Sequence, residues 1–558
     1  MVTFDEEKQK QKLEALRKSE EEELLRGLAV KYKVQYIDLT PLSINMDALR
    51  TIPENQARTA KIAAFAKVGK KLQIALTSPN NPESQKITED LSAKGYEVQI
   101  FMATTASLEK CWNLYKDLSF ATESKAGAFE ISNEDVKDLL GKMRSLPDVK
   151  KILEEVLTLK KSLKVSRIVE IILAGALALK ASDIHIEPEE TYVRLRYRLD
   201  GVLKEVLQFD HETYRLVISR VKLISGLKLN VKTSAQDGRF SIKLEGDDIE
   251  IRTSILPGAY SESLVLRVLN PEAISVSLDE MGIPKRLFDI LMREIKKPNG
   301  MLLTTGPTGS GKTTTLYSFL KTVHDPGVKI ITIEDPIEYH LPGIVQTQVN
   351  RDKDYTFASG LRSALRQDPD VILVGEIRDK ETASIAINAA LTGHLVFSTL
   401  HTNNAAGAFP RLLDLGINPK VMLSAINAAM AQRLVRRLCD QCKKEVALEG
   451  RQKDIADKII ASLPKDAKPT NVSVVWTPEK NGCDKCDHTG YKGRIGIFEA
   501  IIADEAVEVM VLNNPSEREI KKAAAPQGIL SMEQDGLLKI LEGVTSFEEL
   551  ERVIEIDM

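Results

Sequence analysis

With 558 residues, at roughly 150 per domain, the chain has room for about three to four domains. Its 43% hydrophobic and 28% charged residues are those of a globular protein, not a disordered one. Lys+Arg 77 against Asp+Glu 80 leave a formal net charge of −3, so no bulk positive charge draws the chain to nucleic acid or to an anionic membrane. A membrane-spanning helix needs about 20 mostly apolar residues. The best candidate, Ile171 to Leu179, is too short and lies between Glu170 and Lys180. The start runs straight into Asp5, Glu6 and Glu7, with no signal-peptide pattern. Five cysteines in a chain this long make no disulfide framework, and their spacing points to metal in a reducing compartment, so a cytoplasmic protein is expected.

The first element, from Asp5 through the Glu20 to Glu23 run to Arg26, reads as a charged, solvated leading helix. From Tyr32 to about Tyr115 short strands follow. Val34 to Leu39 and Leu72 to Leu76 alternate in period two, and Ser78-Pro79-Asn80-Asn81-Pro82 signals a turn. This predicts a small α/β domain over 1–118. Residues 119–160 are polar and lose periodicity, which predicts a linker with a helix. A second α/β domain is expected over 161–275, with a helix from Ile168 to Lys180, a strand from Tyr192 to Arg198, a turn at Asp200-Gly201 and a closing strand from Ser263 to Leu269. The third domain, 276–558, alternates apolar strands (Met301 to Thr305, Lys329 to Ile333, Val371 to Val374, Leu395 to Thr399) with stretches long enough for crossover helices. That pattern predicts a mostly parallel sheet covered on both faces.

Gly306-Pro307-Thr308-Gly309-Ser310-Gly311-Lys312-Thr313, followed by Thr314, fits the P-loop pattern between a strand and a helix. Its glycines let backbone N–H groups converge on phosphate oxygens at a helix N-terminus. Lys312 is expected to reach the β- and γ-phosphates of ATP, and the Thr313 hydroxyl to ligate Mg²⁺. Glu376, after the strand Val371 to Val374, stands where a carboxylate holds that Mg²⁺ through water. The acidic cluster Glu334-Asp335-Pro336-Ile337-Glu338 follows another strand, and one of its carboxylates is a candidate to polarise the attacking water.

Cys439-x-x-Cys442 and Cys483-x-x-Cys486 suit a structural tetrahedral Zn²⁺ site, each pair supplying two thiolates, within an insert over 437–497. His488 is not needed to complete it. Cys111 reads as a buried apolar residue. His401, just after a core strand, is a candidate functional histidine, and His394 a weaker one. Arg239, Arg252 and Arg267 lie outside the nucleotide fold, yet an arginine from a neighbouring domain or subunit can bring positive charge to a departing γ-phosphate.

In order along the chain these stretches resemble the secretion ATPase superfamily, in its type II secretion and type IV pilus assembly branch, the GspE/PilB group. Lys180 to Pro188 and Gln236-Asp237-Gly238-Arg239 are similar to that family's second N-terminal domain, and Gly306 to Thr314 to its Walker A motif. Thr332 to Glu338 resembles its aspartate box, Gly375 to Asp379 its atypical Walker B motif, and Ser398 to Asn403 its histidine box. Leu361 to Asp370 is a further hallmark. The resemblance implies a small N-terminal α/β docking domain, a PAS-like second domain and a RecA-like ATPase domain with a tetracysteine zinc insert. It implies Glu338 as the water-activating carboxylate, Glu376 as the Mg²⁺-side acid, His401 as a nucleotide-state sensor, and Arg239, Arg252 and Arg267 as γ-phosphate contacts across a domain interface. It further implies a homohexameric ring, peripheral to the cytoplasmic membrane, that acts on an inner-membrane platform protein. Such a ring drives pilin polymerisation in pilus assembly or pseudopilus-driven secretion.

The cysteine insert and first domain favour pilus extension or secretion over the shorter retraction motors, with a pilus assembly (PilB-like) motor the leading expectation. Ser261-Glu262-Ser263 departs from the Gly-Glu of relatives, which puts the geometry of that loop in question. The long Leu/Gly-patterned segment that binds cyclic di-GMP in some relatives is missing, so that ligand is not expected. The alternative, a nucleic-acid-handling RecA-like zinc ATPase, is opposed by the near-neutral charge and 5% aromatics.

Overall fold

The computed structural model describes residues 21–556 apart from 43, 50, 118–120, 125–127, 132–138, 159–160, 245–246, 270–275, 470–471 and 514. Residues 5–20 of the expected leading helix lie outside the described residues, whereas residues 21–31 are helical. The chain divides into two units, residues 1–122 with 156–170, and residues 123–155 with 171–558.

The first unit builds a four-stranded sheet from β1 (Gln35–Tyr36), β2 (Ile62–Val68), β3 (Lys71–Leu76) and β4 (Glu97–Met102), in the order β1-β4-β3-β2. The alternation over Val34 to Leu39 yields only the short β1, because Asp38 turns the chain by accepting from the Thr40 N–H at 2.9 Å. The turn expected at Ser78 to Pro82 leads into a helix, Pro82–Ala93. The Asn81 side chain caps it by accepting from the Glu83 N–H, and Pro82 occupies the first helical position, where no N–H is needed. Cys111 is fully buried on the helix Thr105–Asn113, and burial pushes its thiol up to about 12.

An eight-stranded sheet comprises β5 (Ala121–Ser124), β6 (Ala128–Ile131), β7 (Asp183–Pro188), β8 (Val193–Leu199), β9 (Val202–Phe209), β10 (Gln236–Leu244), β11 (Asp247–Pro257) and β12 (Glu262–Leu269). Their order is β5-β6-β10-β11-β12-β7-β8-β9. The stretch read as a linker supplies β5 and β6 as well as a helix, Leu146–Leu157. Each strand is only four residues long, and β6 is ordered by parallel pairing with β10. Ile184, Ile186, Leu195, Tyr197, Ile251, Leu264 and Leu266 are buried on one face. Residues directly opposite each other in an antiparallel pair share a face. Arg239, Arg252, Arg267, Asp183 and Arg198 therefore stand side by side as one row across β10, β11, β12, β7 and β8. At the Ser261-Glu262-Ser263 departure, Lys222 donates to the buried Glu262 carboxylate at 2.7 Å and Tyr214 to its carbonyl, while the Gly258 N–H donates to the Ser261 carbonyl at 2.9 Å. The loop is closed by these bonds.

A seven-stranded sheet uses β13 (Gly300–Thr305), β14 (Ile330–Glu334), β15 (Val345–Gln348), β16 (Val371–Val374), β17 (Leu395–Leu400) and β18 (Ile426–Leu438), all parallel. A ribbon of β19 (Lys444–Ala447) and β20 (Val474–Thr477) intervenes before β21 (Tyr491–Ile502), which pairs antiparallel with β18. The order is β15-β14-β16-β17-β13-β18-β21. Every residue of β13, β14, β16 and β17 is buried, as a parallel sheet covered on both faces requires. The P-loop, the aspartate box, Glu376 and His401 all follow the carboxyl ends of these strands, the edge where such sheets bind ligands. Among the described residues no helix is long and apolar enough to cross a membrane.

Candidate functional site

Between β13 and the helix Lys312–Val323 the P-loop turns through Gly306, Gly309 and Gly311, at φ 144°, 81° and 91°. A Cβ on Gly306 would meet Ser310 Oγ at 2.6 Å and the Gln432 carbonyl at 2.8 Å, so no larger residue closes the loop there. Pro307, Thr308 and Gly309 form the exposed tip, Ser310 is buried beneath it, and Thr313 is exposed on the first helical turn, with Thr314 half-buried beside it. Lys312 Nζ folds back to donate to the carbonyls of Gly306 (2.7 Å) and Pro307 (3.0 Å). Burial and then the nearby Arg433 lower the pKa of its ammonium, while Glu376 opposes them.

The loop rests on β18. Gln432, 1% exposed, donates from its amide to the Ser310 carbonyl at 2.7 Å and accepts from the Thr315 hydroxyl at 2.8 Å. Arg433 donates to the carbonyls of Gln432 (3.0 Å) and Asn403 (2.6 Å), tying the P-loop support to the histidine box. Beside it, Thr315 also donates to the Met281 sulfur, and the adjoining Gly282 begins the wall of a cavity of about 680 Å³ lined by Ile283, Arg286, Ile495 and Lys539.

Glu376 is largely buried at the end of β16. Arg378 pairs with one carboxylate oxygen at 2.5 Å, and His401 Nε2 lies 3.2 Å from the other. The histidine box thus meets the Walker B motif, as parallel pairing of β16 with β17 dictates. His394 instead contacts the Ala389 carbonyl at 3.0 Å, at the end of a helix.

Of the three carboxylates in the aspartate box, Glu334, Asp335 and Glu338, the two glutamates differ sharply. Glu334 is buried, and accepts from the hydroxyls of Tyr317 and Thr332 and from the Gln346 amide. Burial raises its pKa despite these donors. Glu338 is half-buried, and Arg252 donates to its carboxylate at 3.0 Å and to the Ile337 carbonyl at 2.7 Å. Of the three candidate arginines, Arg252 alone contacts the box. Arg267, on the same row, pairs with Asp183 at 3.2 Å, and Arg239 is exposed across from Arg252.

The four cysteines of the insert converge, with all Sγ atoms within 4.8 Å of one another. Cys439 to Cys483 is 3.7 Å, and both Cys442 to Cys486 and Cys483 to Cys486 are 3.8 Å. Thiolates about 2.3 Å from a zinc ion define a tetrahedron with edges of about 3.8 Å, so the residues present fit that metal. The N–H groups of Cys483 and Gly490 point at Cys486 Sγ, each at 3.2 Å. Burial alone would raise the Cys486 thiol, but these N–H groups and the neighbouring thiols bring it down to about 6. His488 turns to the Asn481 carbonyl and Asp484, away from the cluster.

Residues 158–552 match the family described as Type II/IV secretion system protein, and residues 32–121 the MshEN domain family. The chain belongs to the type II/IV secretion system protein family. It is similar to Type II secretion system protein E of Pseudomonas aeruginosa, at 44% identity over 75% of this chain and 80% of the relative. It is also similar to the Type IV pilus assembly ATPase PilB of Myxococcus xanthus, at 34% identity over 95% of this chain and 91% of the relative. Among solved structures it is similar to the pilus retraction motor PilT with bound ADP, at 27% identity and a TM-score of 0.45, covering 68% of this chain and 95% of that one. This secretion-family chain is an ATP-hydrolysing motor ATPase of the GspE/PilB group, as its motifs led us to expect.

For this secretion ATPase, sequence reasoning overlooked Gln432 and Arg433, which support the P-loop from β18. The signal was available. Two adjacent polar residues interrupt the apolar run Met430-Ala431-Gln432-Arg433-Leu434-Val435, and a buried polar pair in a core strand must be hydrogen-bonded to something.

Proposed function

We propose that this motor ATPase drives pilus assembly, working as a cytoplasmic homohexamer, peripheral to the membrane, against an inner-membrane platform protein to polymerise pilins. The observation that carries the reading is the similarity to a pilus assembly ATPase over 95% of this chain, first domain included, where the type II secretion relative covers 75%. Residues 1–118 are the docking domain in this reading, and pseudopilus-driven secretion uses the same chemistry.

In the proposed cycle Lys312 leaves the Gly306 and Pro307 carbonyls to bind the β- and γ-phosphates of ATP, with the backbone N–H groups of 308–314 around them. The Thr313 hydroxyl and Glu376 are the residues that would hold Mg²⁺, which supplies charge neutralisation at the phosphates when bound. Glu338, freed from Arg252, orients and polarises the attacking water. Arg252, with Arg239 and Arg267 on the same row, is then available to the departing phosphate. His401 senses the nucleotide state through Glu376. Cys439, Cys442, Cys483 and Cys486 hold a structural Zn²⁺ at the ends of β18 and β21, with no open position for catalysis.

Crosslinked capture from native membranes, using Glu338→Gln to hold the ATP-loaded ring, tests the reading. The expected catch is a polytopic membrane protein encoded beside pilins. Recovery of nucleic acid with soluble replication proteins instead would overturn it.

A further inference from the structure

Glu334 is the buried carboxylate of the aspartate box, and the proposed cycle leaves it without a role. It is 4% exposed at the end of β14, directly before the loop that carries Glu338. A carboxylate so deeply placed is tolerated only when donors occupy its oxygens. Here they are the Tyr317 hydroxyl, the Thr332 hydroxyl at 2.5 Å and the Gln346 amide at 3.2 Å.

Each outer partner leads to the catalytic apparatus. Tyr317 is fully buried in the second turn of the helix that Lys312 and Thr313 open. Its ring packs edge-on against Tyr339, with centroids 4.7 Å apart, and its phenol also interacts with the backbone of Glu338. Gln346, on β15, donates to the Tyr339 carbonyl at 3.1 Å and accepts from the Leu341 N–H at 2.7 Å. The residue after Glu338 is thereby held through both its ring and its carbonyl, and every one of these supports converges on Glu334. The cluster also spans two secondary structures that nothing in the chain sequence makes neighbours, the phosphate-binding helix and the edge strand β15.

We propose that Glu334, Tyr317 and Gln346 are positioning residues that couple the phosphate-binding helix to the loop holding Glu338, so that nucleotide seated on Lys312 fixes the place of the activating carboxylate. The proposal rests on Glu338 being the water-activating group. Misplacement of a catalytic group by about 1 Å costs on the order of 10²-fold in rate. Loss of one support should therefore lower kcat by about 10- to 100-fold and leave KM for ATP within about 3-fold, because Lys312 and Thr313 keep their contacts.

The test is steady-state ATP turnover by the full-length chain in Tyr317→Phe, which keeps the packed ring, and Glu334→Gln, each alone and combined with Glu338→Gln. Gln346→Met, at the half-exposed margin of the cluster, is a third variant should either core change prevent folding. The expected result is a fall in kcat without a matching change in KM, and no additional loss in the Glu338→Gln background. Full kcat in the positioning variants beside an inactive Glu338→Gln would overturn the coupling and leave the base assignment standing. An equal further loss in the double variants would also overturn it, since the residues would then act apart from Glu338. Wild-type turnover by Glu338→Gln itself would remove the base assignment, and the coupling with it.

Discussion

Replacing Gln432 with leucine removes one support of the P-loop while keeping the bulk and apolar face of β18. In the native structure the amide of this buried residue donates to the Ser310 carbonyl at 2.7 Å and accepts from the Thr315 hydroxyl at 2.8 Å. Leucine leaves the carbonyl without this donor. The hydroxyl keeps the Gly311 carbonyl at 3.3 Å as an alternative acceptor. Unmade buried hydrogen bonds cost about 1–3 kcal/mol each; taking about 1.5 for the carbonyl and about 0.5 for the hydroxyl gives a penalty of about 2 kcal/mol. That penalty falls on the loop conformation that receives phosphate, so nucleotide binding has to overcome it. At about 1.4 kcal/mol per tenfold, the Kd for ATP weakens by about 30-fold. Titration with a fluorescent ATP analogue, with calorimetry to verify the fold, measures this. A folded Gln432→Leu variant whose Kd stays within about 3-fold of wild type would refute the reasoning.

The zinc centre should hold one ion per chain by elemental analysis; Cys439→Ser should lose it and loosen the insert while sparing nucleotide binding at the P-loop, and a metal-free wild type would contradict the assignment. The C-terminal helix Phe547–Val553 is tied to β18 by Glu549, which is buried and accepts from Arg552 at 2.8 Å and from Arg436 through both its backbone N–H, at 3.0 Å, and its guanidinium. Burial pushes the Glu549 carboxyl up, but the hydrogen bonds from Arg552 and Arg436 outweigh it and hold the group at about 2, against an ordinary 4.5. The depressed value corresponds to about 3 kcal/mol of stability that is complete above about pH 4.5 and lost as pH falls through about 2. Glu549→Gln should lack that increment at pH 7 and converge on wild type toward pH 2 in urea unfolding, and equal stability at pH 7 would remove the clamp.

Contiguous motifs were legible in the chain because their chemistry is local. The P-loop needs closely spaced glycines and Lys312, and the metal centre needs cysteine pairs three residues apart, so spacing alone exposes both. The arginine row was not legible. Arg239, Arg252 and Arg267 are far apart in the chain, and only the register of β10, β11 and β12 sets them side by side and brings Arg252 to Glu338. Nor could spacing divide the work between Glu334 and Glu338, because burial and donors distinguish them rather than residue type. The strands β5 and β6 escaped because four residues each are too few to show a periodicity, and their place at the sheet edge is set by pairing, β6 with β10 and β5 beyond it. Gln432 and Arg433 were visible as polar residues in an apolar strand, but their purpose depends on a P-loop more than a hundred residues earlier.

The central claim is that Lys312 binds the nucleotide and Glu338 activates the water that cleaves it. ATP binding and turnover measured side by side on the wild type, Lys312→Ala and Glu338→Gln test it most directly. The account predicts that Lys312→Ala neither binds nor hydrolyses, and that Glu338→Gln binds ATP with near-native affinity while turnover falls by about 10²-fold or more. Hydrolysis at the wild-type rate by Glu338→Gln would contradict it.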